Sequence, residues 1–448
     1  MNNPELTGAP PLTVIGAGPA GVLLALLLAR RGHAVQIFER RADPRTSPEQ
    51  PGRSINLALA NRGRHALERA AVLERVSAHM VSMRGRQLHD ENGEQRFLPY
   101  GQNEREVIYA VGRNRLTVEL IEAASEQPRI AIQFDQRCVD IDPAGQTVRL
   151  RDELSGAERD EPYELLVAAD GATSAVRQAL AAQEQLQFTD TPLDHDYKEL
   201  LIAPVDGRYA MEPHALHLWP RGGYMLIALP NTDASFTATL FLPRTGPVSF
   251  QNLPDGAAQR AFFAAQFPDA LPLLPDLSAQ FASHPQARLA SLHCQPWQVG
   301  AAVLLGDAAH AIVPFHGQGL NSGFEDCVLL DELIAKHGPV PEALVRFERL
   351  RRPDTEAIAS ISIQNYREMR DTVRAPAFAR RQALAAELER QFPGRFIPRY
   401  SMVMFHTEIG YAEAQRRGAL QERILDRLLA AGPDAAAHAG KLLDEFGL

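Results

Sequence analysis

Apolar positions in this chain fall into short unbroken runs, one long run opened by glycines, and alternating stretches in the middle. Leu12–Ile15 reads as a buried strand, Pro19–Arg31 as an apolar helix and Ala34–Phe38 as a second strand that ends at Glu39. Strand, helix and strand in that order make a βαβ unit, which implies parallel pairing. Leu165–Ala169 and Ala302–Leu305 are further apolar runs, closed by Asp170–Gly171 and by Gly306–Asp307. Both resemble central strands of the same sheet, so the sheet is predicted to be assembled from segments far apart in the sequence.

The texture changes between those runs. Ala215–Leu218, Tyr224–Leu229 and Ser235–Leu242 are β-rich and are separated by turn signals at Pro220–Gly223 and Pro230–Asp233, as in an antiparallel meander. Alternation puts Leu216, Leu218, Ile227, Leu229, Thr239 and Phe241 on one face of it. After about Glu342 the chain turns helical and rich in Arg, Ala and Glu, with a break at Pro393 and Pro398 before a final Ala-rich tail. The expected class is α/β, with a second, antiparallel domain.

Composition narrows the function classes. At 448 residues the chain has room for two or three domains, and 45% apolar with 23% charged residues is the balance of a folded, water-soluble protein. A net charge of −9 repels phosphate backbones, so nucleic acid is not an expected partner. Cys138, Cys294 and Cys327 are odd in number and widely spaced, which indicates neither a disulfide framework nor a zinc site and fits a reducing cytoplasm. Val22–Ala29 is too short to span a bilayer and is followed by Arg30–Arg31 rather than a cleavage site, so no membrane anchor is expected.

The chemistry begins at Gly16-Ala17-Gly18-Pro19-Ala20-Gly21, a GxGxxG stretch between a strand and a helix, with Glu39 at the end of the next strand. The glycines, Gly16, Gly18 and Gly21, permit a tight turn and close approach of backbone to a pyrophosphate. Helix N-terminal amides then hold the phosphate, and Glu39 can bind a ribose hydroxyl. This motif alone does not separate NAD from FAD.

Asp170-Gly171-Ala172-Thr173-Ser174-Ala175-Val176-Arg177 and Gly306-Asp307-Ala308-Ala309-His310, with Pro314 after it, resemble the second and third fingerprints of the FAD-dependent aromatic hydroxylases. That resemblance implies a Rossmann-like FAD-binding domain assembled from residues 1–77, 103–180 and 290–340. A substrate-binding sheet domain would be made of 78–102 and 181–289, and a helical region of 341–448 would contribute to the substrate pocket. It implies Asp307 on the FAD ribityl chain, and a loop Pro314–Asn321 whose Gln318, Gly319, Leu320 and Asn321 open a helix aimed at the flavin. The same resemblance adds Ala20, Arg40, Ala58, Arg113, Cys138, Asp170 and Gly171 to the cofactor contacts.

Other stretches resemble the branch of that family that hydroxylates kynurenine. They are Arg53–Leu59, Met83–Arg86 with Leu98–Gly101, Tyr197–Leu200, His217–Arg221, Gly323–Asp326 and Asn365–Arg370. The match runs from about residue 12 to about 415. Carried over position by position, it implies that Arg86, Tyr100, Asn365 and Tyr400 hold the substrate carboxylate and that Glu368 meets its amine. Leu216, Leu229, Phe241, Pro314 and Phe315 would wall the aromatic ring, core packing being the other reading of these positions. His316 stands where other members carry Phe and receives no chemical role beyond lining.

The implied activity is a monooxygenase of tryptophan catabolism. NADPH, bound transiently, reduces bound FAD; O2 then gives a C4a-hydroperoxyflavin that hydroxylates L-kynurenine to 3-hydroxykynurenine. No metal is called for. A hydroxylase of the same fold acting on another amino- or hydroxy-aromatic acid stays open, as does a flavoprotein dehydrogenase that does not use O2. So does assembly as a homodimer. Members with a C-terminal membrane helix differ from this chain, which resembles the soluble bacterial form in the cytoplasm.

Overall fold

A computed structural model describes residues 10–46, 56–372, 375–431 and 438–448. Of the family-like stretches, Arg53–Ile55 lies outside them. The chain divides into two compact units, one of residues 1–80, 111–193 and 290–355, the other of 81–110, 194–289 and 356–448.

The first unit is built on a six-stranded sheet. Its order is Gln298–Val299, Ala302–Leu304, Leu166–Ala168, Leu12–Ile15, Val35–Phe38, Ile130–Gln133, parallel throughout except for the first pair. The three strands that precede the three glycine-and-aspartate turns are therefore consecutive neighbours. Each is buried along its whole length, as expected of central strands covered on both faces. The helix Pro19–Arg30 buries ten of its twelve residues, which explains its lack of a polar face. An antiparallel three-stranded sheet, Gln136–Asp142, Thr147–Asp152 and Glu158–Pro162, also belongs to this unit and was not legible in the sequence.

The second unit holds a seven-stranded sheet ordered Gln286–Gln295, Gln187–Ile202, Phe236–Pro243, Met225–Pro230, Ala215–Pro220, Gly85–His89, Gln95–Pro99. The meander predicted from alternation is its centre, antiparallel as expected, and Gly85–His89 joins it in parallel. Leu218, Ile227 and Thr239 stand in register across the three strands. Leu216, Leu229 and Phe241 lie two residues along from them on the same face. The opposite face carries Trp219, Leu226, Ala228, Phe236, Ala238, Leu240 and Leu242 into a core closed by Phe263, Phe267, Leu274 and Leu277. The helix Gly256–Gln266 that supplies part of that cover is capped by Asp255, whose side chain accepts from Ala258 N–H at 2.9 Å.

From Glu356 onward the second unit is helical. The helix Pro341–Arg367 ends in a π-helical turn, Glu368–Thr372. Helices Pro376–Gln391, Arg399–Phe405, Tyr411–Ala431 and Ala439–Phe446 follow. Three of them share a small core of Leu388, Phe396, Ile424, Leu428 and Leu443. No helix among the described residues is long and apolar enough to cross a membrane.

Candidate active site

In the first unit the three turns meet through their backbones. Gly16 has φ +103°, and a Cβ there would lie 2.6 Å from the Ala169 carbonyl oxygen, so the first turn touches the second. Gly306, at φ 60° and ψ −138°, occupies a region open essentially only to glycine, and it sits against Ala20 and Gly323. Arg177 joins the second turn to the third, donating from Nη2 to Ala172 O (2.6 Å) and from Nη1 to Ala308 O (2.7 Å). Ala20 and Gly21 belong to the helix that Gly18 precedes.

The residues there fit FAD. Gly18 caps the helix Pro19–Arg30 with no side chain bonded to its amides, and the space where a Cβ would stand is open. That is the free N-terminus a pyrophosphate needs. Asp170 directs Oδ2 at Ala175 N–H (2.7 Å), while its buried Oδ1 has no hydrogen-bond partner. Burial pushes the Asp170 carboxyl up from the ordinary range, the state of an acid waiting for a donor. Gly171 follows at φ 84°. Glu39 ties the first turn to the loop after its own strand, accepting from Ala17 N–H (2.8 Å) in the one and Arg41 N–H (3.0 Å) in the other, and Arg40 beside it is exposed.

Asp307 is exposed and is the first residue of the short helix Asp307–His310, not its cap, because Gly306 takes the capping position. The helix Gly319–His337 begins after Gln318 with no side-chain cap, so its first amides, those of Gly319 and Leu320 included, are left for a ligand. Asn321 is used differently. Its Nδ2 donates to Ala58 O (2.9 Å) and Gly317 O (2.8 Å), and its Oδ1 accepts from Ala60 N–H (2.9 Å), so it fastens the loop to Ala58. Arg113 is exposed at the start of the helix Arg113–Ser125. Cys138 is buried on Gln136–Asp142 with Sγ 3.7 Å from Asp140 O. All three cysteines are buried and free, and burial raises their thiols, that of Cys294 to about 12. Pro314 is exposed, and Phe315 and His316 are buried, in the 3-10 turn that precedes Gly317.

In the second unit Arg86 pairs with Leu216 across adjacent strands, so the arginine opens onto the face that carries Leu216, Leu229 and Phe241. Its guanidinium carbon lies 4.8 Å from the centre of the Tyr400 ring and 5.7 Å from that of Tyr100, and the two rings stack 5.5 Å apart. Arg86 Nε is buried with no hydrogen-bond partner. Burial works against the charge of Arg86, but Tyr400, Tyr100 and Glu368 around it hold it above the ordinary range. Burial likewise raises both phenols, which keeps them as hydrogen-bond donors. Such a cluster presents a planar cationic fork and two hydroxyls to an anion.

Asn365 is buried, with Nδ2 3.3 Å from Met369 Sδ. Glu368 opens the π-helical turn that follows the α-helix carrying Asn365. Burial raises the Glu368 carboxyl, and Arg86 and Arg399 oppose the rise. The π turn is held by the loop between two meander strands: Gly222 N–H donates to Arg370 O (3.1 Å) and Gly223 N–H to Asp371 Oδ1 (3.1 Å).

Two features of the family-like stretches do something other than line a site. His217 lies on the core side of the sheet, its Nε2 donating to Glu212 O (2.9 Å) and its Nδ1 2.8 Å from His89 Nε2, and burial lowers its imidazole to about 4. Asp326, in Gly323–Asp326, is fully buried within Gly319–His337. An acid at an inward helical position was the available signal for it, and sequence reasoning gave it no role.

A family model described as an FAD binding domain matches residues 10–359. Kynurenine 3-monooxygenase of Myxococcus xanthus is 45% identical over 419 residues, 93% of this chain and 90% of that protein. The enzyme of the same name from Stenotrophomonas maltophilia is 46% identical over 417 residues, 92% of this chain and 91% of that one. A solved tetrameric form of 2-methyl-3-hydroxypyridine-5-carboxylic acid oxygenase superposes with a TM-score of 0.67 at 20% identity, covering 83% of this chain and 95% of that one, a likeness of fold. The chain is an FAD-dependent monooxygenase and belongs to the kynurenine 3-monooxygenase family of aromatic hydroxylases.

Proposed function

We propose that the protein hydroxylates L-kynurenine at the ring carbon ortho to the aniline nitrogen. Kynurenine, O2, NADPH and a proton would give 3-hydroxykynurenine, NADP+ and water. The observation that carries this reading is Arg86, a half-buried cation beside two stacked phenols, with its buried Nε left without a partner, at the end of an apolar sheet face. An amphipathic aromatic amino acid has the matching halves, a carboxylate and a ring. The names of relatives at 45% and 46% identity support the choice of kynurenine.

FAD, when bound, supplies the reduction of O2 by NADPH and the transfer of one oxygen atom to the ring. The chain's task is positional. Arg86 grips the carboxylate through two parallel N–H bonds, Tyr100 and Tyr400 donate to it, and Asn365 adds an amide. Glu368 accepts from the substrate ammonium, a cation that offsets the burial of its carboxylate. Leu216, Leu229 and Phe241 face the ring and exclude water from it. Such an enzyme belongs to tryptophan catabolism in the cytoplasm, where NADPH is at hand.

Oxygen uptake by the FAD-loaded protein with NADPH, with and without L-kynurenine, tests the reading. Kynurenine is expected to accelerate uptake and to yield a product one oxygen atom heavier. Uptake indifferent to kynurenine, or product formed without oxygen, overturns it.

A further inference from the structure

A buried ionic network lies behind the Gly306–Asp307 turn. Asp326 Oδ2 accepts from Gly306 N–H (3.0 Å) and from His310 Nε2 (2.6 Å), while its Oδ1 accepts from Arg351 Nε (2.6 Å). Arg351 Nη2 donates to Ser322 O (3.1 Å), Ser322 Oγ (2.9 Å) and Glu325 Oε2 (2.9 Å). Glu325 Oε1 in turn accepts from Arg62 Nη1 at 2.5 Å. Asp326 has no solvent exposure, and Arg62 and Arg351 have almost none.

Fully buried charge is costly unless every partner is in place, so the network is retained against a desolvation penalty. Burial works against the ionised form of Asp326, and His310 and Arg351 outweigh it, holding the carboxyl below the ordinary range. Every group facing the carboxylate is a donor. An amide at this position would turn its NH2 either on Arg351 Nε or on Gly306 N–H, and one of those bonds would be lost. The Gly306 bond is the one with a consequence for the cofactor. It fixes a glycine in a conformation that no other residue adopts readily, and the next residue is Asp307. The far end of the short helix Asp307–His310 is held by the same carboxylate through His310, and its middle by Arg177 on Ala308 O.

We infer that Asp326, braced by Arg351, is a positioning residue for FAD: it sets the Gly306–Asp307 turn in the geometry that binds the cofactor, without touching the cofactor itself. The inference rests on FAD binding alone and is independent of the substrate.

The test titrates apoprotein with FAD, following flavin fluorescence and the visible circular dichroism of the bound flavin, with far-ultraviolet circular dichroism to establish the fold. Asp326→Asn is expected to raise the FAD Kd by about tenfold or more, the loss of one buried bond to a charged group, and to change the flavin's visible spectrum. A folded Asp326→Asn protein with wild-type Kd and spectrum overturns the inference. A second pair keeps it testable if that variant does not fold. His310→Gln retains a donor toward Asp326 and is expected to keep FAD affinity, whereas His310→Phe is expected to lose it. Equal FAD affinity in the two, or a failure of both to fold, assigns the carboxylate to folding only and removes its role toward FAD.

Discussion

The turns of the first unit and the Arg86 cluster of the second are candidate sites of opposite construction. The turns are backbone sites: Gly16, Gly18 and Gly306 act through the conformations and clearances they allow, and the groups offered are amides. The Arg86 cluster is a side-chain site, made by Arg86, Tyr100, Glu368 and Tyr400 from a strand, a loop, a π turn and a helix. A backbone site tolerates little change at its glycines. A side-chain site loses function one group at a time.

Gly16→Ala should show the first behaviour most sharply. Its Cβ would stand 2.6 Å from Ala169 O at φ +103°, so the turn must shift, at about 3 kcal/mol of strain. The expected outcome is a purified protein with little or no FAD and a lower midpoint in denaturant. A yellow protein of wild-type stability would mean that the turn is less constrained than its contacts show.

Arg86→Ala should leave FAD content unchanged and lower kcat/KM for kynurenine by roughly a hundredfold, the effect of about 3 kcal/mol on a carboxylate left without its partner. Flavin content and steady-state kinetics on one preparation separate the two sites. Loss of FAD together with activity would erase the distinction drawn between them.

A third test reaches the core behind the second site. The imidazole of His217 is lowered from 6.5 to about 4, so its neutral form is the one the fold keeps. The stability it contributes is present above pH 6.5 and is lost as pH falls toward 4, by about 3 kcal/mol at most. His217→Gln, which can still donate to Glu212 O, should flatten that acid slope. An unchanged slope in denaturant titrations at several pH values would place the acid sensitivity elsewhere.

The smallest expected effect is that of Glu368→Gln. Burial raises this carboxyl, so the protonated form favours the fold. Its contribution is present below the ordinary carboxylate range and lost as pH rises through the raised value. The variant should therefore be slightly more stable than wild type at neutral pH and equal to it in acid, while KM for kynurenine rises. A variant less stable at neutral pH would show that Glu368 is held by ion pairs rather than merely tolerated.

How much of this was legible in the sequence follows the same division. The strand Leu12–Ile15, the helix after Gly18 and the acidic turns could be read directly, because backbone sites need particular residues at fixed short spacings. The common face of Leu216, Leu229 and Phe241 followed from alternation alone. That Arg86 borders this face depends on parallel pairing between Gly85–His89 and Ala215–Pro220, a contact between strands more than a hundred residues apart that no local pattern encodes. The π turn at Glu368 escaped for a related reason: one residue's change in helical spacing leaves no mark in composition. Asp326 escaped because a buried acid in a helix reads as a surface charge until its donors are seen.

The placement of Cys138, Cys294 and Cys327 has a practical meaning for a catalyst that handles dioxygen. Any turnover that fails to deliver its oxygen atom releases an oxidant beside the protein, and thiolates are the side chains such oxidants attack first. Here all the sulfur of cysteine is enclosed and kept protonated. The enzyme should withstand storage in air without added reductant, and its wear should fall instead on the half-buried Met80 and Met211.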